Sequence, residues 1–132
     1  MFPRVVTGFL FLTTVVCAAD WLTFAGDPQR SGWAREEETL NATNVKGLKL
    51  EWTLKVDNVA KEMYSLTVPV VVNPVITQRG FKELLFVAGT SDVLYAIDAD
   101  TGKMFWQKKF TANGEGKQKP HWLCPVAQNA TP

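Results

Sequence analysis

The stretch from Leu84 to Phe110 constrains the fold more than any other part of this sequence. Leu84-Leu85-Phe86-Val87-Ala88 is a continuous apolar run of strand length, closed by turn residues from Gly89 to Asp92. Val93, Tyr95 and Ile97 then alternate with Leu94 and Ala96, a second strand pattern. Asp98-Ala99-Asp100-Thr101-Gly102 makes a tight turn, and Met104 to Phe110 reads as another strand. Upstream, Leu66 to Val72 is β-branched and apolar, with Pro69 marking a sheet edge, a bulge or a strand start. Asn73-Pro74 breaks that run, Val75-Ile76 resumes it, and Arg79-Gly80 turns the chain. Four short strands with turn signals every ~8–12 residues predict an all-β meander.

The Asp98–Gly102 turn has a physical rationale. Asp98 and Asp100 can accept bonds from backbone N–H groups just ahead of them, and Gly102 can take the positive φ that closes a hairpin. Trp106 follows four residues after that glycine. Such a meander on its own leaves both faces and both edges unsatisfied, so it requires neighbouring sheets.

Ahead of the meander, Asp20 to Arg35 mixes Trp21, Phe24 and Trp33 with Gly, Pro, Asp and Ser, the composition of an irregular segment pinned by aromatics. In Leu40 to Trp52, Asn41 or Thr43 can cap a single helical turn, which Gly47 can end in the left-handed conformation. Leu48, Leu50 and Trp52 then alternate with Lys49 and Glu51 as in a half-buried strand, continuing through Leu54 and Val56. Asp57 to Tyr64 is polar and reads as a loop.

Residues 1–19 read as a signal peptide. Arg4 gives a positive start, Val5 to Val16 is apolar, and Cys17-Ala18-Ala19 offers small residues for cleavage before Asp20. The apolar run is shorter than the ~20 residues a spanning helix needs, so cleavage is favoured over an uncleaved anchor. A lipid-modified Cys17 ranks lower, because Val16 stands where a small residue is preferred. The expected location is periplasmic or secreted. Removal of Cys17 leaves Cys124, either paired beyond Pro132 or held as a buried thiol. With 14 basic and 13 acidic residues the formal net charge is +1, which gives no electrostatic basis for nucleic-acid binding.

Leu94-Tyr95-Ala96-Ile97-Asp98-Ala99-Asp100-Thr101-Gly102-Lys103, followed by Trp106, resembles the repeat of pyrroloquinoline-quinone (PQQ) type β-propellers. Trp21 to Phe24, Gly26-Asp27, Asn44-Val45 and Leu50-Glu51-Trp52 resemble the lead-in of quinoprotein dehydrogenases and related repeat proteins. The resemblance implies four-stranded antiparallel blades around a central axis, with Ala96, Asp98, Thr101, Gly102 and Trp106 as the structural repeat motif. It implies that Trp106 docks between blades and that Gly102 is a stacking partner or turn residue. The expected organisation is a signal peptide over 1–19, an irregular lead-in over 20–47, and the first blade with the start of the next over 48–132. The chain is therefore expected to be the N-terminal part of a longer propeller.

Two activities fit this resemblance. One is a non-catalytic scaffold that binds protein partners on the propeller face, similar to an outer-membrane assembly lipoprotein with the same repeat. The other is a PQQ-dependent alcohol or sugar dehydrogenase. In such enzymes the quinone sits on the axis, held by several blades, with calcium, a catalytic aspartate and a vicinal disulfide. None of those groups can be assigned here, since Cys124 is flanked by Leu123 and Pro125. No catalytic or metal residue is therefore named, and PQQ with calcium is expected only under the dehydrogenase reading.

Other features read as structural. His121 and Cys124 could form half a metal site, but no second pair accompanies them. Lys108, Lys109, Lys117 and Lys119 with Gly114 and Gly116 lack P-loop spacing. Glu36 to Glu38 fits a solvated face, and Asn41-Ala42-Thr43 and Asn129-Ala130-Thr131 are sequons relevant to a eukaryotic secretory route alone.

Overall fold

A computed structural model describes residues 20–35, 37–60, 65–110 and 132. The signal-peptide reading, His121, Cys124 and the second sequon lie outside the described residues.

The meander forms as the pattern predicts. Strands β1 (Val70–Thr77), β2 (Gly80–Gly89), β3 (Val93–Asp98) and β4 (Lys103–Lys109) make one antiparallel sheet in the order β1-β2-β3-β4. Pro69 immediately precedes β1, where its missing N–H costs no ladder bond. Asn73-Pro74, a cis peptide, falls where the β1–β2 register shifts between Val72 and Val75, so the expected break is a bulge within one strand.

Strand alternation sends side chains to two faces. Leu85, Val87, Tyr95 and Ile97 share one face, since Leu85 pairs with Ile97 and Val87 with Tyr95. Val87, Tyr95 and Ile97 are the centre of the core, and Tyr95 is 0 % exposed. Leu84, Phe86, Ala88 and Ala96 occupy the other face. Trp106 pairs with Ala96 while Met104 pairs with Ile97, leaving Phe105 as an extra residue in β4. This bulge sends Met104 to the core face and Trp106 to the opposite one, where its ring lies 6.0 Å from that of Phe86.

The core face is covered by a segment that belongs to no ladder. Residues 48–60 belong to no strand. Trp52, Leu54 and Val56 are half-buried against Val87, Tyr95 and Ile97, whereas Glu51, Thr53, Lys55 and Asp57 are exposed. The alternation anticipated from sequence is thus present, but it reflects contact with a sheet face, not membership of the sheet. Leu48 and Leu50, expected in the same buried row, point to solvent.

Both ends of this crossing segment are anchored. At one end the Trp52 indole N–H donates to the Ala99 carbonyl at 2.8 Å. At the other, the Asn58 side chain accepts from the Ser91 N–H at 3.1 Å and donates to the Ser65 carbonyl at 3.1 Å. Asn58 also approaches Gly89 so closely that a Cβ there would fall under 3.0 Å from it, which is why the β2 terminus carries glycine.

The lead-in is irregular, as expected, and guards the free edge of β1. Trp21 and Val71 exchange two main-chain bonds of 2.9 and 2.8 Å, and the Asp20 carboxylate accepts from the Asn73 N–H at 2.7 Å. The expected helical turn is a 3-10 turn over Val45–Gly47. Asn41 does organise its start, accepting from the Thr43 and Asn44 N–H groups at 3.0 and 3.1 Å. Gly47 differs from expectation. It is not left-handed; the turn ends when Leu48 adopts φ −58°, ψ 138°.

Candidate functional site

The residues singled out in the sequence converge at the β3–β4 hairpin. Asp98, 6 % exposed, organises it. One carboxylate oxygen accepts from the Thr101 N–H at 3.0 Å and the Thr101 hydroxyl at 2.9 Å. The other meets the Lys82 ammonium at 2.8 Å, across from β2. Main-chain closure follows, with the Gly102 N–H donating to the Asp98 carbonyl at 2.8 Å and Gly102 at φ +65°. Only a residue without a Cβ takes that conformation at no steric cost.

Gly102 has a second reason to be glycine. Trp52 lies flat over it, and a Cβ would fall under 3.0 Å from three ring atoms. Asp98, Thr101 and Gly102 therefore form a single structural unit on which Trp52 is seated, while Ala96 is buried in β3 opposite Trp106. Trp106 is elsewhere. It stands on the opposite face beside Phe86, 39 % exposed. Asp100, expected to share the turn's hydrogen bonding, accepts none among the described residues.

Sequence reasoning missed three partners: Lys82 for Asp98, Ala99 for Trp52, and the Asp57 carbonyl, which accepts from the Tyr95 hydroxyl at 2.6 Å. One signal was available for the second. Lys49-Leu50-Glu51-Trp52 has the same spacing of Lys, large aliphatic and Trp as Lys103-Met104-Phe105-Trp106.

Electrostatics follow the geometry. The Lys82 ammonium bound to Asp98 holds its carboxyl below the usual aspartate value; burial opposes this and the Thr101 bonds reinforce it. Burial pushes the neighbouring Glu83 carboxyl up, helped by the charges of Asp100 and Asp20. Burial likewise raises the Tyr95 hydroxyl, with Asp57 adding to it. The motif's polar side chains thus bond to one another and to the main chain, an arrangement that holds a sheet and the layer upon it.

A family model described as glucose/ethanol/alcohol dehydrogenase, β-propeller domain, of the PQQ type matches residues 21–125. The chain belongs to this family. Its four-stranded antiparallel sheet is one blade of the PQQ-type propeller. No curated protein and no solved structure matches the chain.

The family description raises the question of a quinone and its calcium. Within this one blade no residue among those described is assigned to either group. The most buried carboxylate, Asp98, is engaged by Lys82 and Thr101, and no group of three or more His, Cys, Asp or Glu converges among the described residues. What this blade offers instead is two differently finished faces: a core face already covered by the Trp52 segment, and an opposite face bearing Trp106 and Phe86. No helix among the described residues is long and apolar enough to cross a membrane.

Proposed function

We propose that this PQQ-type blade belongs to an exported propeller that acts as a binding or assembly scaffold. The observation that carries this reading is the use made of the motif's polar groups. Asp98, Thr101, Tyr95 and the Trp52 indole all bond within the blade, so the hairpin serves to fix layers together. Export rests on the basic start, short apolar run and small-residue cleavage site over residues 1–19. The partners envisaged are proteins bound on the propeller face, with no role for nucleic acid at a net charge of +1.

A dehydrogenase is the second reading, favoured by the family description itself. One assay separates the two. The protein is incubated with PQQ and calcium, and dye reduction is followed with alcohols and sugars as substrates. A scaffold gives no reduction above the protein-free control; substrate-dependent reduction overturns the scaffold reading. Sequencing the N-terminus of protein recovered outside the cytoplasm tests export, which requires a chain starting at Asp20.

A further inference from the structure

We propose that the outer edge of β4 receives an acidic, extended segment of a partner protein, which joins the sheet as a further strand. The site is a sheet edge, so it stands apart from the propeller face named above and does not depend on the choice between scaffold and dehydrogenase.

The two edges of this sheet are finished differently. The β1 edge is closed: Trp21 exchanges two main-chain bonds with Val71, and the Asp20 carboxylate accepts from the Asn73 N–H. β4 ends the order β1-β2-β3-β4, and among the described residues nothing pairs with its outer side. An edge of unpaired N–H and C=O groups is a template for a strand from another chain.

The register shows where such a strand fits. Past the bulge at Phe105, Trp106 to Lys109 pair without interruption with Ala96 to Val93. The Phe110 N–H continues the ladder by donating to the Asp92 carbonyl at 2.8 Å. Main-chain groups in an antiparallel pair alternate in direction along each strand. Trp106, Lys108 and Phe110 therefore turn theirs toward β3, and Gln107 and Lys109 turn theirs outward. These two residues are exposed and lie on the regular part of the strand, so each offers an N–H and a C=O to an incoming chain.

Charge selects the partner. β4 carries Lys103, Lys108 and Lys109 and no acidic residue. The Arg79 guanidinium lies 5.2 Å from the centre of the Phe105 ring and extends this basic row. None of these four cations joins an ion pair among the described residues. Lysines along an edge repel a basic strand and resist a neutral one, which would strip water from the ammoniums. A strand bearing carboxylates gains cross-strand attraction instead, so the same residues exclude and admit by charge. Neighbouring residues of a strand face opposite sides, which puts Lys108 on one side of the sheet and Lys109 on the other. The matching segment therefore carries adjacent acidic residues, one for each side, and not an amphipathic alternation.

The test titrates the whole chain with a blocked hexapeptide, Thr-Val-Glu-Glu-Val-Thr, against a Thr-Val-Lys-Lys-Val-Thr control, and reads amide exchange. At saturating acidic peptide, protection at Gln107 and Lys109 should rise on the order of ten-fold, and the lysine peptide should leave both unchanged. Binding should weaken several-fold as salt rises from about 0.05 to 0.5 M. K108E/K109E should reverse the preference between the two peptides. Gln107→Pro removes an outward N–H and no bond to β3, so it should abolish binding while β3 amides stay protected. Binding retained by Q107P would reveal surface attraction without strand addition and overturn the proposal. Equal response to both peptides, or none in a chain whose β2 and β3 amides are protected, overturns it as well. So does protection of Gln107 and Lys109 without peptide: at all dilutions it means that this chain fills its own edge, and if it grows with protein concentration, that a second copy does.

Discussion

Trp52 lies on Gly102, fifty positions away in sequence, so closely that no Cβ fits between them. The contact joins the crossing segment to the hairpin that ends the blade, and the indole N–H fixes its orientation through the Ala99 carbonyl. Gly102→Ala meets two separate penalties. A left-handed alanine costs about 1–2 kcal/mol, and overpacking against the ring adds about 1–3 kcal/mol. Urea denaturation should therefore show a loss of about 2–5 kcal/mol for G102A. In a Trp52→Ala background only the backbone penalty remains, giving a coupling of about 1–3 kcal/mol. Equal costs in both backgrounds would show that the ring does not press on this position.

Asp98 makes the blade sensitive to acid. Its folded pKa is depressed, first by Lys82, so its contribution is fully present above the ordinary value of 3.8 and is lost as pH falls through the folded value. Asp98→Asn should flatten the acid limb of a stability profile. Lys82→Met removes the largest lowering influence and leaves the burial that opposes it, so this variant should lose its stability at higher pH than the parent. Identical acid midpoints for K82M and parent would rule out the pairing as the cause.

Glu83, next to this pair in β2, acts in the opposite sense. Burial, with Asp100 and Asp20 nearby, raises its pKa, so the fold favours the protonated form and ionisation at neutral pH costs stability. Glu83→Gln should stabilise the chain at pH 7 by a modest 0.2–1 kcal/mol or so, since the group is partly solvated. That gain should vanish as pH falls below the ordinary glutamate value of 4.5. A neutral-pH loss on substitution would contradict it.

The blade itself was legible because its signals are local. Strand β3 is bounded by the turn residues that predict it, and Asp98 and Gly102 play the parts their chemistry suggests. The contacts between layers were not legible. Period-two alternation from Glu51 to Asp57 says that one side of the chain is covered, and the same pattern results whether the edge is paired or bare. Leu50 departs from the pattern, being exposed two residues before the half-buried Trp52. Gly102, a stacking partner or turn residue by resemblance, takes φ +65° under Trp52, a tryptophan that spacing alone does not single out from Trp106. Lys82 could not be assigned to Asp98 without the β2–β3 register, which sets Leu84 opposite Asp98 and brings Lys82 within reach. Asp100 differs from Asp98 for a geometric reason: the turn's closing N–H groups face the first aspartate.

Tyr95 ties the core to the segment above it. Its ring is fully buried between Val87 and Ile97, and its hydroxyl crosses the layer to the Asp57 carbonyl at 2.6 Å. Tyr95→Phe keeps the ring and removes one hydrogen bond, a loss of about 0.5–1.5 kcal/mol. Because Asp57 is exposed, water can partly replace the lost donor, which places the effect toward the lower end of that range. The pH dependence discriminates further. Burial raises the phenol's pKa, with Asp57 adding to it, so the folded state favours the neutral form. That contribution is complete below the ordinary tyrosine value of 10.0 and disappears as pH rises through the folded value. Urea midpoints followed from neutral to alkaline pH should fall for the parent and fall less for Y95F. Parallel alkaline limbs would mean that Tyr95 does not titrate with unfolding and that the hydroxyl reaches solvent instead of the Asp57 carbonyl.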